Sequence, residues 1–151
     1  EHIQKDKFFL QEIYRVLKPG GKLLLTTPNK LMSLSRNPWH IREYTPTEMK
    51  NILDKYFNEN SVNGVYGNDL VMDYYQKNKI AVRKITRFDI FNLQYILPRW
   101  LLQIPYDILN RLNRKKLKSQ NEKVVQSVTV EDYFIKESTE NCLDYFCVAT
   151  K

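Results

Sequence analysis

The chain has 151 residues, of which 42% are hydrophobic and 27% charged, a balance that is ordinary for a globular domain with its own core. Its two cysteines, Cys142 and Cys147, are five residues apart on a predicted strand, which puts their side chains on opposite faces and disfavours a disulfide. No apolar run approaches the roughly 20 residues that span a bilayer. We therefore expect a cytoplasmic protein with reduced thiols.

The net charge of +7 is concentrated in one internal segment. Residues 74–118 carry eleven basic and two acidic side chains, whereas residues 1–73 carry ten and nine, and residues 119–151 carry three and six. Such a segment favours an anionic partner.

The first predicted elements form a helix followed by a strand. Asp6 is a candidate N-cap for an amphipathic helix that ends at Pro19-Gly20-Gly21. Lys22 to Thr27 is then a continuous apolar run, typical of a parallel strand that is covered on both faces. A helix leading into a parallel strand needs an earlier strand, so we expect the C-terminal part of a larger α/β protein.

A loop is predicted for residues 30–44. Thr45-Pro46-Thr47-Glu48 then has the pattern of a helix start with a capping box. Residues 61–66 predict a short strand.

The basic segment predicts two amphipathic helices, residues 85–97 and 105–117, separated at Pro98 and begun again at Pro105. Their apolar residues recur at steps of three and four, so we expect one face to be buried. That face comprises Ile90, Leu93, Leu97, Leu101, Ile104, Ile108 and Leu112. Residues 119–126 favour a polar linker, and residues 129–136 and 143–150 favour strands.

Four stretches together carry a family resemblance: Glu1-His2-Ile3, Phe9 to Gly21, Leu24 to Asn29, and Asn37 to Thr45. The order Leu-Lys-Pro-Gly-Gly before a leucine-rich strand is its most specific part. The chain resembles the second half of class I S-adenosylmethionine-dependent methyltransferases, in the branch of ubiquinone-pathway and small-RNA O-methyltransferases.

This resemblance implies an α/β fold with a Rossmann-like, seven-stranded sheet whose last strand is antiparallel. Residues 1–68 are then the C-terminal half of the core, residues 69–128 an inserted basic helical lid, and residues 129–151 the closing antiparallel strands. It also implies that the glycine-rich turn for S-adenosylmethionine lies upstream, so the isolated chain should bind this cofactor weakly and be inactive.

The resemblance further implies a site at the carboxyl edge of the sheet. His2 and His40 are its catalytic candidates, as general base or substrate contact, and Glu1, His2 and His40 match the residues that hold a divalent metal in the small-RNA enzymes. Purely structural roles for the three remain open. Histidine is the residue type that most often acts as a general base.

Asn29, Trp39, Arg42 and Tyr44 are the substrate-binding candidates on the same edge. For Arg42 a surface ion pair with Glu43 or Glu48 is the simpler alternative, and for Trp39 an anchoring role. We expect the ring of Tyr44 to pack over the cofactor-side cleft rather than to take part in the reaction.

The function expected from the resemblance is methyl transfer to an oxygen of a small, sugar-linked or lipid-linked acceptor. For residues 85–118 we expect first a lid with a solvated basic face. The second interpretation is association with an anionic membrane surface, which would make the protein peripheral to the membrane, and the third is nucleic-acid binding. Two alternatives to an enzyme stay open: a non-catalytic lid or binding module, and a basic domain that associates with membrane surfaces.

Overall fold

The computed structural model describes residues 1–151, apart from the side chains at positions 120 and 123. The chain divides into two compact units. The first comprises residues 1–33, 41–66 and 134–151, and the second comprises residues 34–40 and 67–133. The domain boundaries expected at residues 68 and 128 remain a prediction.

Four strands form one sheet in the described chain. Its order is β1-β4-β2-β3, with the strands β1 (Lys22–Pro28), β2 (Glu59–Gly67), β3 (Tyr133–Glu137) and β4 (Asp144–Thr150). Strand β4 pairs antiparallel with β1 on one side and with β2 on the other. Strands β1 and β2 therefore run in the same direction on either side of an antiparallel last strand.

One expectation about the sheet is corrected. In the described chain β1 has no parallel neighbour, because it lies at one end of the order and pairs with the antiparallel β4. The seven-stranded Rossmann-like sheet remains a prediction. Residues of β1 alternate in exposure, and Leu24 is 64% exposed, because successive side chains point to opposite faces and only one face of the strand is covered. A strand covered on both faces would bury that residue.

Two helices of the first unit supply its hydrophobic core. They are α1 (Asp6–Val16) and α2 (Pro46–Leu53), and the latter begins with the predicted capping box between Thr45 and Glu48. Leu10 of α1 and Met49, Ile52 and Leu53 of α2 belong to one buried cluster with Phe57 and with alternate residues of β4. Both cysteines are free and buried in this cluster.

The second unit is mainly helical. It contains α3 (Asp69–Thr86), α4 (Leu93–Ile96), α5 (Arg99–Gln120) and α6 (Glu122–Ser127). Asn68 caps α3 by accepting hydrogen bonds from the backbone N–H groups of Leu70 and Val71 at 3.1 and 3.2 Å.

The helix boundaries in the basic segment differ from those predicted. Helix α5 begins at Arg99 rather than at Pro105, so Pro105 lies inside it, and residues 85–97 contain the end of α3 and the short α4 instead of one helix. Pro105 removes one backbone donor, and it lies on an exposed side of the helix where water can bond the carbonyl group left over. The residues expected to form a linker instead complete α5 and form α6.

The apolar face predicted to be buried is largely exposed. Ile90, Ile104 and Leu112 are 77%, 72% and 61% exposed. The 3.6-residue periodicity correctly indicated helices, but helix α5 packs in its unit through a different face, which includes the buried Leu117. Among the described residues, no helix is both long and apolar enough to cross a membrane.

Candidate functional site

A cleft opens in the first unit between α1, the end of β1 and α2. Its cavity holds about 80 Å³. Six apolar side chains line it, and six polar residues do so as well, namely Glu1, Asp6, Thr26, Thr27, Arg42 and Tyr44. Because most of the lining surface is apolar and several polar groups converge on it, the cleft has the general character of a small-molecule site.

Asp6 organises the polar side of this cleft. Its carboxylate accepts hydrogen bonds from the Tyr44 hydroxyl and from the Arg42 guanidinium, and its side chain is only 19% exposed. Burial alone would raise the pKa of Asp6, but the hydrogen bonds from Tyr44, from the Lys7 backbone N–H and from Arg42 outweigh it, so the pKa is lowered. The carboxylate is therefore charged at neutral pH and fixes both partners.

This arrangement corrects the expected partner of Arg42, which is neither Glu43 nor Glu48. Asp6 was predicted to be an N-cap, but Lys5 occupies that position and Asp6 is the first residue of the helix. No local signal in the sequence reveals the pairing, because 36 residues separate Asp6 from Arg42.

Glu1 and His2 lie next to each other in the first unit. Glu1 Oε1 is 3.6 Å from His2 Nε2, and Glu1 Oε2 accepts a hydrogen bond from the Thr27 hydroxyl at 3.3 Å. The backbone N–H of Ile41 donates to the Glu1 carbonyl at 2.7 Å. These contacts fix Glu1 beside the end of β1, while His2 is 61% exposed and accessible to a ligand.

A second carboxylate, Asp144 at the start of β4, interacts with Glu1. Burial raises the pKa of Asp144, and the negative charge of Glu1 raises it further. The sequence analysis did not single out this residue, since only the pairing of β4 with β1 places it opposite Pro28. The first unit therefore has three side chains that can accept a proton or bind a cation, namely Glu1, His2 and Asp144.

Asn29, a predicted substrate contact, is buried at 1% exposure. Its side-chain NH₂ donates to the carbonyl groups of Cys142 at 2.8 Å and Glu140 at 3.0 Å. Its oxygen accepts from the Tyr145 hydroxyl at 2.6 Å and from the Leu31 N–H at 3.0 Å. These bonds join the end of β1 to the segment before β4, and substrate binding by Asn29 remains a prediction.

Trp39 and His40 belong to the second unit. The indole N–H of Trp39 donates to Asp107 at 3.0 Å, and the ring is 47% exposed. The exposed ring is not part of the core, and its expected place in the cleft wall or as a substrate contact remains a prediction. The proposed metal site of Glu1, His2 and His40 draws on both units and remains a prediction.

Part of the chain is similar in sequence to a bacterial protein. It is 39% identical over 59 residues to a protein of Mycolicibacterium smegmatis that is described as a probable S-adenosylmethionine-dependent methyltransferase. The match covers 36% of this chain and 23% of that relative. No protein-family model and no solved structure matches the chain. The similarity supports a relationship to S-adenosylmethionine-dependent methyltransferases, whereas the particular branch stays a prediction.

Two phenols and a thiol of the first unit predict a loss of stability at alkaline pH: Tyr145 and Cys147 are buried, and Tyr44 is half-buried. Burial raises the pKa of Tyr44 to about 12, and the hydrogen bond that Tyr44 donates to Asp6 raises it as well. Burial also raises the pKa of Cys147 to about 12 and raises the pKa of Tyr145. In the unfolded chain a thiol loses its proton near pH 9 and a phenol near pH 10. The folded state then holds more protons, so the free energy of unfolding should fall as pH rises from about 9 to 12.

Urea unfolding at a series of pH values measures this effect. We expect a constant unfolding midpoint from pH 7 to about 8.5 and a decline above about 9. Tyr44→Phe removes one of the three groups and should make the decline between pH 10 and 12 shallower. A midpoint that stays constant up to pH 11 would refute the prediction.

Proposed function

We propose that this chain is part of an enzyme that transfers the methyl group of S-adenosylmethionine to an oxygen atom of a small, sugar-linked or lipid-linked acceptor. The observation that carries the proposal is the 39% identity to a probable methyltransferase over 59 residues. The match covers 23% of that relative. The activity of the protein that contains this chain is therefore part of the proposal.

The sheet supports the proposed fold. In a Rossmann-like sheet with an antiparallel last strand, β1 and β2 would be neighbours of that strand, as they are here. Strand β1 lies at the end of the four-stranded order with Leu24 exposed. We propose that earlier parallel strands of a seven-stranded sheet pair with this edge.

The cofactor fits the chain only in part. A cavity of about 80 Å³ is smaller than the ~300–1,000 Å³ of sites that enclose drug-sized ligands. When bound, S-adenosylmethionine supplies an electrophilic methyl group on a sulfonium centre. We propose that most of its site lies outside residues 1–151 and that the cleft of this chain faces the acceptor.

The residues of the chain would bind and orient the acceptor and remove its proton. In the proposed reaction the methyl–sulfur bond breaks as the methyl–oxygen bond forms, and the hydroxyl proton passes to a base. His2, exposed beside Glu1, is the candidate base in the first unit, with His40 assigned by resemblance. Arg42 and Tyr44, held by Asp6, would position the acceptor.

A divalent metal is a further part of the proposal. Glu1 and His2 offer an oxygen and a nitrogen donor that lie 3.6 Å apart, a mixed set that suits ions such as Zn²⁺ or Mn²⁺. These two residues, with His40 as the third predicted ligand, would hold the ion. A bound ion would lower the pKa of a coordinated acceptor hydroxyl.

The test is transfer of a labelled methyl group by the native protein that contains this chain. The protein is incubated with S-adenosylmethionine labelled in its methyl carbon and with an extract of the source cells, and the products are divided between organic solvent and water. Label in a base-stable ether in either phase supports oxygen methylation and indicates whether the acceptor is lipid-linked. Label that appears only on nitrogen or sulfur, or in no product, contradicts the proposal.

A further inference from the structure

We infer that the segment from Arg87 to Lys118 binds the surface of anionic phospholipid bilayers, with α5 lying in the plane of the interface. The inference concerns an interaction surface of the second unit and does not depend on the proposed methyl transfer. The residues that carry it, here called the interfacial face, are large apolar side chains that are each at least 46% exposed. They are Phe88, Ile90, Phe91, Tyr95, Ile96, Trp100, Leu101, Ile104, Ile108 and Leu112.

Helix α5 displays the interfacial face as a regular stripe. Trp100, Ile104, Ile108 and Leu112 follow one another at four-residue steps, so they lie along one side of the helix, and they are 69%, 72%, 54% and 61% exposed. A different side packs within the unit: Leu117 is 5% exposed, and the Asn113 amide donates to Asn78 of α3 at 2.9 Å. The helix thus has a packed face and a second apolar face directed to solvent.

Exposed apolar area of this extent is unusual for a surface that meets only water. Single exposed apolar residues are normal, but contiguous patches mark interaction sites. The stripe includes a tryptophan, and the residues before α5 add two phenylalanines and a tyrosine. Aromatic side chains with aliphatic ones on one helix face are typical of helices that lie in a membrane interface.

The charges around the interfacial face are complementary to anionic lipid. Six exposed cations border it: Arg87, Arg111, Arg114, Lys115, Lys116 and Lys118. The two acidic residues between 74 and 118 both bond protein groups, because Asp89 accepts from the Leu93 and Gln94 N–H groups and Asp107 accepts from Trp39. The segment therefore presents a positive field next to apolar side chains.

A bilayer surface satisfies both features at once. Nucleic acid would match the cations but would place charged phosphates and sugars against Ile104, Ile108 and Leu112. A second copy would match the apolar stripe but would bring two segments together that each carry seven basic and two acidic side chains, a net charge of +5. In the described chain no helix could cross the membrane, so the helix would lie on the lipid rather than span it.

Co-sedimentation of the chain with vesicles tests the inference. One set of vesicles contains phosphatidylcholine alone and the other phosphatidylcholine mixed with phosphatidylglycerol, each at low and high salt. We expect binding mainly to the anionic vesicles, and weaker binding at high salt because the charges are screened. Tryptophan emission should shift to the blue on binding, since Trp100 would enter the interface.

Two matched pairs of variants identify the surface. Ile108→Ser should weaken partitioning about tenfold. Its control is Ile80→Ser, because Ile80 is also 54% exposed on a helix of the same unit but has Gln76, Lys77 and Lys84 as helical neighbours.

The second pair tests the charges. Lys115→Gln/Lys116→Gln should weaken binding about 30-fold, or about fivefold for each cation. Lys22→Gln/Lys55→Gln, in the first unit, should leave it unchanged.

Circular dichroism and thermal melting confirm that each variant folds. The inference is overturned if the chain pellets equally with both kinds of vesicle, if it pellets with neither, or if Ile80→Ser weakens binding as much as Ile108→Ser. Light scattering that shows a dimer lost in Ile108→Ser, without lipid binding, would assign the face to a second copy. Salt-sensitive binding to nucleic acid, without lipid binding, would assign it to that partner.

Discussion

Replacing Asn29 by leucine should lower the free energy of unfolding by about 3–5 kcal/mol, since each buried polar group left without a partner costs about 1–3 kcal/mol. The variant keeps the number and branching of the side-chain heavy atoms but loses the bonds to Cys142, Glu140, Leu31 and Tyr145, and its larger methyl groups must fit a site that is only 1% exposed. Urea unfolding followed by circular dichroism measures the change.

Two further variants make this prediction specific. Tyr145→Phe removes only one bond of the set and should cost about 1–2 kcal/mol, which keeps the prediction testable if Asn29→Leu fails to fold. Asn63→Leu is the matched control on β2, because the Asn63 amide makes a surface bond to Ser61 at 3.3 Å, and its effect should stay within about 0.5 kcal/mol. Equal losses in Asn29→Leu and Asn63→Leu would show that Asn29 does not stabilise this end of the sheet.

His40→Ala and His2→Ala, each made in the native protein, should lower turnover by about 10²- to 10⁴-fold, the usual contribution of a general acid or base. His2 is 61% exposed, so its removal should change the free energy of unfolding by no more than about 0.5 kcal/mol. The measurement is turnover beside urea unfolding of the same variants. Unchanged turnover in both would leave the histidines with structural roles only.

Glu43→Gln is the control for this series, because Glu43 is close to His40 in sequence but is not among the predicted ligands. It should leave turnover unchanged. A chelator separates the two versions of the site: loss of activity that added Mn²⁺ or Zn²⁺ restores supports the metal, whereas full activity with chelator eliminates it and leaves the histidines as bases.

Local patterns allowed much of the first unit to be predicted. The Pro-Gly-Gly break, the apolar run of β1 and the capping box at Thr45 and Glu48 each depend on neighbours in sequence, and the structure confirms these elements. Leu143 to Thr150 was also predicted as a strand, and β4 covers Asp144–Thr150.

The remaining features depend on contacts that a sequence does not display. Asp6 pairs with residues more than 30 positions away, and Asn29 bonds a segment more than 110 positions away. Helix α3 was missed because its apolar residues are interrupted by charged and polar ones, and its cap at Asn68 alone is a weak signal. Periodicity indicated that α5 is amphipathic, but it could not say whether solvent, protein or lipid covers that face.

The proposal that this chain is part of an S-adenosylmethionine-dependent methyltransferase is tested most directly by calorimetric titration of the native protein with S-adenosylmethionine. We predict saturable binding at micromolar cofactor by the native protein, competition by S-adenosylhomocysteine, and weak or no binding by residues 1–151 alone. Absence of binding to the native protein under conditions in which it is folded would contradict the claim, and micromolar binding by residues 1–151 alone would contradict the proposed location of the cofactor site.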